Sequence, residues 1–503
     1  MLESALVTDD TDAMEIVADW LADKGDLFWT WVVLPVVVLL GLYLTVRSGV
    51  VQFRLIPEMF RTLTNRTPRD EAGEPQSVSA FQAFTISAAS RVGTGNIAGV
   101  ATAIAVGGPG AVFWMWLMAF VGAASAFAES TLAQLFKVRD PAGFRGGPAY
   151  YMQRGLKARW MGVWFAVILI ICFPFAFSSL QANTISASLG GAVASMTGTD
   201  AGAWLPWVTG IVVAALTGLV VFGGVRRIAS VTQTIVPVMA LAYLLLGLAV
   251  VAVSWQEIPA AISSIFTQAF GYNEVVGAAF GYVVLTGIKR GMFSNEAGLG
   301  SAPNAGASAA VTHPVKQGLV QALGVYFDTF LVCSITAFII LTGVPDLAGA
   351  AVGVDLTQAA LGDTLGEWSL TALAIIVFLL AFSSIIGNYY YGEASIEFIS
   401  TRRWVLVAYR TLVVAAVFVG SVLSANVVWS FADAAMGFMA ITNLVALALL
   451  SGLVFALLRD YMQQRRDGKD PVFTRDRLPD VSGIDCWHDE LSVTGPLPVQ
   501  RRR

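Results

Sequence analysis

Two short stretches carry the residue types from which a binding site can be built. RVGTGNIAG at 91–99 and RGMFSNEAG at 290–298 share Arg, four residues, Asn, one residue, Ala and Gly, and each lies within or at the end of a long apolar stretch. In the first, Gly93 and Gly95 each cost about 1 kcal/mol relative to alanine inside a helix, so the segment can unwind. Backbone unwound in hydrocarbon is tolerated only where it lines a cavity or a binding site. The amides of Gly93 to Ile97 would then head the half-helix that follows and direct partial positive charge at an anionic group, most simply a carboxylate. Gly95 and Gly99 equally fit the small-residue spacing of close helix packing, and both readings stand.

The second stretch continues as TGIKRGMFSNEAGLGSAPNAGASAA (286–310), with glycines at 287, 291, 298, 300 and 306 and Pro303. That density predicts a re-entrant turn or gate over 286–297 and a mobile loop beyond Pro303. Arg91 falls near mid-depth of its apolar segment, where a charge needs a partner or water; Glu129, Asp328, Glu393 and Glu397 are the available carboxylates. Glu129 and Glu397 also fit an interfacial position. Cys172, Cys333 and Cys486 make no disulfide or metal spacing, and His313 and His488 are the only histidines. With no His cluster and no Gly-x-Ser-x-Gly elbow, an enzyme is not expected.

The elements that must position these residues follow from composition. The 503 residues are 56% hydrophobic and 13% charged, with mean hydropathy +0.70, which describes an integral membrane protein. Eleven stretches satisfy the requirement of about 20 apolar residues per spanning helix: 29–46, 80–106, 111–136, 160–189, 204–222, 228–254, 275–297, 316–344, 368–399, 404–424 and 427–458. Lys and Arg cluster after the odd-numbered stretches, whereas the loops after even-numbered ones, such as 255–274 and 345–367, are acidic and carry none. The bias predicts an external amino terminus and a cytoplasmic carboxyl terminus in the cell membrane.

With the first helix set apart, stretches 2–6 and 7–11 form two five-helix units of opposite topology, each starting with one copy of the paired motif. The expected organisation is an acidic extracellular segment (1–28), the first helix and its cytoplasmic loop (29–79), repeat one (80–254), repeat two (255–458) and a solvated cytoplasmic tail (459–503).

The chain resembles the alanine or glycine:cation symporter family, also called sodium:alanine symporters. The resemblance spans about 29–458 and is carried by GTGNIAGVATAIAVGGPGAVFWMW (93–116), GGPAYYM (146–152), SSLQANTIS (178–186), KRGMFSNEAGLGSAP (289–303) and FSSIIGNYYYGE (382–393). It implies an all-α LeuT-type fold and sodium-coupled uptake of a small neutral amino acid. By that resemblance Gly93, Thr94, Gly95 and Asn96 take the substrate carboxylate, Gln181 helps bind its polar head, carbonyls near Thr286 and Gly287 receive the ammonium, and Met292 and Phe293 wall the cavity. The sodium site would join the carbonyls of Ala89 and Val92 to the hydroxyls of Ser383 and Ser384, with Ser384 also beside the substrate. Some relatives carry tryptophan where this chain has Asn388; a carboxamide there enlarges the pocket and admits glutamine or serine beside alanine and glycine. The partners implied are the amino acid, sodium and membrane lipid, with no nucleic acid and no obligatory partner protein. Proton coupling through Glu129 or Asp328 is the alternative within the transporter class, and a passive channel the alternative outside it.

Overall fold

The computed structural model describes residues 16–17, 19–65, 67, 77–141, 143–270, 277–344, 346–347, 349 and 351–488. The first fifteen residues of the acidic start and the terminal Arg501 to Arg503 run lie outside the described residues.

Each of the eleven apolar stretches is helical. In chain order the main helices are α1 (Asp19–Arg47), α2 (Ala80–Arg91), α3 (Val100–Gly107), α4 (Gly110–Leu135), α5 (Arg159–Thr197), α6 (Leu205–Val221), α7 (Val225–Val253), α8 (Gly277–Asn295), α9 (Pro303–Ser308), α10 (Pro314–Gly343), α11 (Trp368–Ile399), α12 (Arg403–Gly420) and α13 (Ala425–Arg466). Among the described residues eight of these are long and apolar enough to cross a bilayer unbroken. The second stretch is split into α2 and α3. α7 and α12 sit at the periphery and present Leu241, Leu245, Leu248 and Leu412 outward, as lipid contact requires.

Local sequence sets the boundaries. α2 starts on a capping box, in which the Ser79 hydroxyl accepts from the Gln82 amide (3.0 Å) and the Gln82 side chain accepts from the Ser79 amide (2.9 Å). α10 starts with Pro314 after His313, whose Nδ1 accepts from the Val315 amide at 3.2 Å. The remaining Nε2 faces Asp460 at 3.1 Å, and burial pushes the imidazole down to about 4, so His313 is a neutral donor to Asp460. Three π-helical turns, Gly95–Gly99, Ile171–Phe177 and Phe327–Cys333, interrupt the second, fourth and eighth stretches, and a fourth, Trp29–Val33, lies in the first. Pro174, which lacks an amide donor, lies inside the second of them.

The buried centre has two sides. α4 packs along α10 and α8, with Gly318 allowing α10 onto Phe127 and Thr131. α5 packs along α11, with α12 and α6 outside them. α2 lies between, touching α11, α7 and α10.

The carboxyl-terminal segment departs from expectation. Residues 470–488 are not a solvated tail but fold back over the helix ends: Phe473 and Trp487 are buried, the Phe473 amide donates to the Thr312 carbonyl (2.9 Å), and the Trp487 indole donates to the Gln134 carbonyl (3.1 Å). Asp470 pairs with Lys316 at 2.9 Å. Lys137 lies between the Phe144 and Trp487 rings, 4.0 and 4.5 Å from their centroids. Burial pushes its ammonium down to about 7, and the two ring faces offset part of that cost. Scattered Trp, Phe, Cys and Ile among polar residues have no helical period, so the sequence carries no signal of this strap. Trp487→Ala is expected to cost about 3 kcal/mol, in the range of aromatic truncations in cores. A thermal melt of the detergent-solubilised protein checks this, and an unchanged midpoint would show that the strap adds nothing to stability.

Candidate functional site

The first break is short. α2 ends where Val92 leaves helical geometry (φ −81°, ψ 86°), and the chain is helical again from Gly95. The amides freed at Gly93 and Thr94 both donate to side chains. The Asn96 side-chain oxygen takes the Gly93 N–H at 2.9 Å and the Gln181 side-chain oxygen takes the Thr94 N–H at 3.0 Å. Both acceptors stand where an anionic group would be received. Gly93 is required by close approach, since a Cβ there would collide with the Ser384 hydroxyl and lie 3.0 Å from the Gln181 oxygen. A Cβ on Gly95 would sit 2.9 Å from the Phe293 ring.

Beside this break lies a cluster of neutral oxygens. The Ser384 hydroxyl reaches the carbonyls of Ala89 (2.8 Å), Ser90 (3.1 Å) and Val92 (3.5 Å), and the Ser383 hydroxyl lies 3.5 Å from the Ala89 carbonyl while donating to Leu380 (2.9 Å). α11 reaches α2 this closely through Gly387, where a Cβ would be 2.6 Å from the Ser90 nitrogen. Hydroxyls and carbonyls with no thiolate or imidazole suit a hard monovalent cation.

The buried carboxylates are each held by donors. Asp328 accepts from the Asn96 amide (2.6 Å), Ser294 (2.8 Å) and Thr329 (3.1 Å), because the π-helical turn of α10 turns it toward the break. Glu129 accepts from Asn443 (2.8 Å) and from the amides of Gly300 (3.1 Å) and Gly298 (3.4 Å). Glu296 accepts from Ser90 (2.6 Å) and Ser301 (2.7 Å). Glu393 pairs with Arg410 at 2.9 Å and Glu397 with Arg145 at 2.6 Å. Arg91 forms no ion pair among the described residues; it donates to the Gln321 carbonyl at 3.1 Å.

Toward the face opposite the strap, Phe293 packs between Phe177 and Trp429, with ring centroids 4.6 and 4.9 Å away. One turn earlier on α8, Arg290 makes a bidentate pair with Asp433 (3.1 and 2.7 Å) and lies over the Trp429 ring. Lys289 bridges Asp433 and Asp26 of α1, both at 2.8 Å. These side chains separate a polar cavity of about 200 Å3, which Thr102 also lines, from the first break. Asp433→Asn is expected to loosen this closure. Labelling of a buried Thr94→Cys reporter at the break by an impermeant thiol reagent should then accelerate several-fold, and an unchanged rate would assign the barrier elsewhere.

The structure brings together Ala89, Val92, Gly93, Thr94, Gly95, Asn96, Gln181, Phe293, Ser383, Ser384 and Asn388. Met292 is buried in the main core beside them. Thr286 and Gly287 lie within the unbroken α8, so their carbonyls belong to the helix; Thr286 packs on Gly107 and lines the polar cavity beside Arg290 and Trp429, and Gly287 packs on Ala111 and Trp114. The second break lies later than 286–297: it spans 296–302, with positive φ at Glu296, Gly298 and Gly300, and Pro303–Ser308 forms a short helix before 309–313 leave helical geometry. Gly287 and Gly291 serve helix packing: a Cβ at Gly287 would lie 2.5 Å from the Ala111 carbonyl and one at Gly291 3.3 Å from Met115. Trp429 and Asp433 were not singled out from the sequence. Asp433 had left a signal, a lone acid inside an apolar stretch.

The model of a family described as the sodium:alanine symporter family matches residues 14–475. The chain is 48% identical to the amino-acid carrier protein AlsT of Bacillus subtilis over 93% of its own length and 97% of the relative's. It is 45% identical to the probable sodium/glutamine symporter GlnT of the same organism, covering 92% and 94% of the two chains. Among solved structures it is similar to MhsT in complex with L-phenylalanine, with TM-score 0.55, 15% identity and coverage of 86% of this chain and 97% of that one.

Proposed function

The chain belongs to the sodium:alanine symporter family and has an all-α LeuT-type membrane fold, and from that premise we propose that it is a sodium-coupled symporter importing small neutral amino acids by alternating access. The observation that carries this reading is the convergence of the Ala89 and Val92 carbonyls and the Ser383 and Ser384 hydroxyls directly against Gly93 of the broken segment. Sodium in that oxygen cluster and a carboxylate at the Gly93 and Thr94 amides share one wall, so each favours the same local backbone arrangement. Coupling needs no more than that differential affinity.

For the substrate's carboxylate to reach the Thr94 amide, the Gln181 oxygen must swing aside and offer its amide nitrogen to the ligand instead. The Phe293, Phe177 and Trp429 stack with the Arg290 and Asp433 pair is the closure on one side, and the strap covers the other. The strap face, rich in Lys and Arg, is the cytoplasmic one in this reading, with α2 to α7 and α8 to α13 as the two repeats and α1 outside them.

Uptake of labelled alanine into proteoliposomes under an inward sodium gradient, with potassium replacing sodium at constant pH, tests the proposal. Accumulation above equilibrium only with sodium is expected. Equal uptake in both salts that collapses with the pH gradient would put proton coupling in its place.

Asn388 sets pocket size in this reading. Asn388→Trp should weaken competition by glutamine about tenfold or more while alanine still competes. Undiminished glutamine competition would remove Asn388 from the pocket wall.

A further inference from the structure

Glu296 is buried (1% exposed) and holds a left-handed backbone conformation (φ 57°) that residues other than glycine seldom adopt. It sits at the start of the second break, yet one of its carboxylate oxygens lies 2.6 Å from the Ser90 hydroxyl on α2. The same hydroxyl lies 2.6 Å from the Asn388 side-chain oxygen on α11. Ser90 has one hydrogen and faces these two acceptors, with the Tyr391 hydroxyl also beside Ser90 and Glu296, while the Asn388 amide nitrogen is buried without a partner among the described residues. The other Glu296 oxygen is committed to Ser301 at 2.7 Å, so the carboxylate is the anchored end of this chain.

Hydrogen counting resolves the conflict in one way that leaves Glu296 ionised. A half-turn of the Asn388 carboxamide lets its nitrogen donate to the Ser90 oxygen and Ser90 donate to Glu296. A charge-assisted acceptor makes that the stronger direction. The Asn388 oxygen is then left to accept from the pocket. We propose that Glu296, acting through Ser90, is a positioning residue for specificity: it makes Asn388 present its oxygen, selecting substrates whose side chain carries a hydrogen-bond donor, such as a carboxamide or a hydroxyl. This rests on the reading of Asn388 as a pocket residue. The relay also runs in reverse. A substrate donor on the Asn388 oxygen stabilises the same orientation, which strengthens the Ser90 to Glu296 bond and holds the second break against the first.

The test is competition by glutamine and by unlabelled alanine against labelled alanine uptake, in wild type, Asn388→Ala, Ser90→Ala, Glu296→Gln and the Ser90→Ala, Glu296→Gln double variant. The ratio of the two half-inhibitory concentrations is the readout, because a loss of folded protein lowers both uptakes and leaves the ratio alone. Ser90→Ala and Glu296→Gln should each shift the ratio against glutamine about tenfold. The double variant should shift it no further than either alone, as members of one chain do. A ratio shifted by Asn388→Ala but not by Ser90→Ala or Glu296→Gln overturns the relay and keeps the pocket reading. A ratio unmoved by Asn388→Ala overturns both. Should Glu296→Gln yield no transport, Ser90→Ala decides alone.

Discussion

Gly93→Ala is expected to reduce sodium-driven alanine uptake about a hundredfold or more while the protein still reaches the membrane. The added methyl would collide with the Ser384 hydroxyl and press on the Gln181 carboxamide. Ser384 cannot retreat, because it is buried and ties α11 to the last turn of α2 through the Ala89 carbonyl. Relief therefore requires α2 and α11 to part by a sizeable fraction of an ångström, which opens the oxygen cluster and moves the Thr94 amide at once. Gly452→Ala is the matched control, since a Cβ there meets nothing within 4 Å. Uptake rates normalised to surface protein for the two variants decide the matter. Near-wild-type uptake by Gly93→Ala would mean that this contact is not present in the working cycle.

The second large effect is on sodium. Replacing Ser383 and Ser384 together by alanine removes both hydroxyls of the cluster and leaves only carbonyls. Loss of contacts to a charged group costs about 1.5 to 3 kcal/mol each, so apparent sodium affinity should fall by roughly a hundredfold or more. Sodium activation curves at saturating alanine read this directly. Because Ser384 also borders the substrate region through Gly93, alanine affinity at saturating sodium is needed as the companion measurement. A large shift for sodium with a small one for alanine is the expected pattern. Wild-type sodium activation in the double variant would discard this cation site.

The two experiments separate two links of one mechanism. The first asks whether α2 and α11 must touch; the second asks what they hold when they do. Asp433→Asn, Trp487→Ala and Asn388→Trp probe respectively the closure, the strap and the pocket wall around that contact.

Much of the architecture was legible because the bilayer imposes it. Spans of about 20 apolar residues have to be helices, and cations have to collect on one side, so the eleven helical stretches can be counted from hydropathy alone. A break near Gly93 was legible for a related reason, since two glycines beside an amide inside such a span have no other tolerable use than packing or binding. Residue type likewise pointed to Ser383 and Ser384, though only with the family resemblance, because serines in membrane helices ordinarily bond their own preceding turn. Ser383 in fact does so, donating to Leu380.

What the sequence could not decide was depth and partnership. Glycine density in 286–310 pointed to a break, but whether a glycine unwinds a helix or admits a neighbour depends on what lies across from it. At Gly287 and Gly291 α4 lies across, so α8 continues; at Gly298 and Gly300 the chain turns left-handed. Arg91 finds a carbonyl rather than any of the four carboxylates, and Glu296 finds Ser90, because such pairings join residues about two hundred positions or more apart. The strap was hidden for the same reason: Phe473 and Trp487 are apolar residues without a period, and only the helix ends they cover give them a place to be buried. Hydropathy and residue type are properties of the chain, and they determined the spans and the residue types gathered at the first break. Contact is a property of the folded object, and it alone decided which oxygens meet.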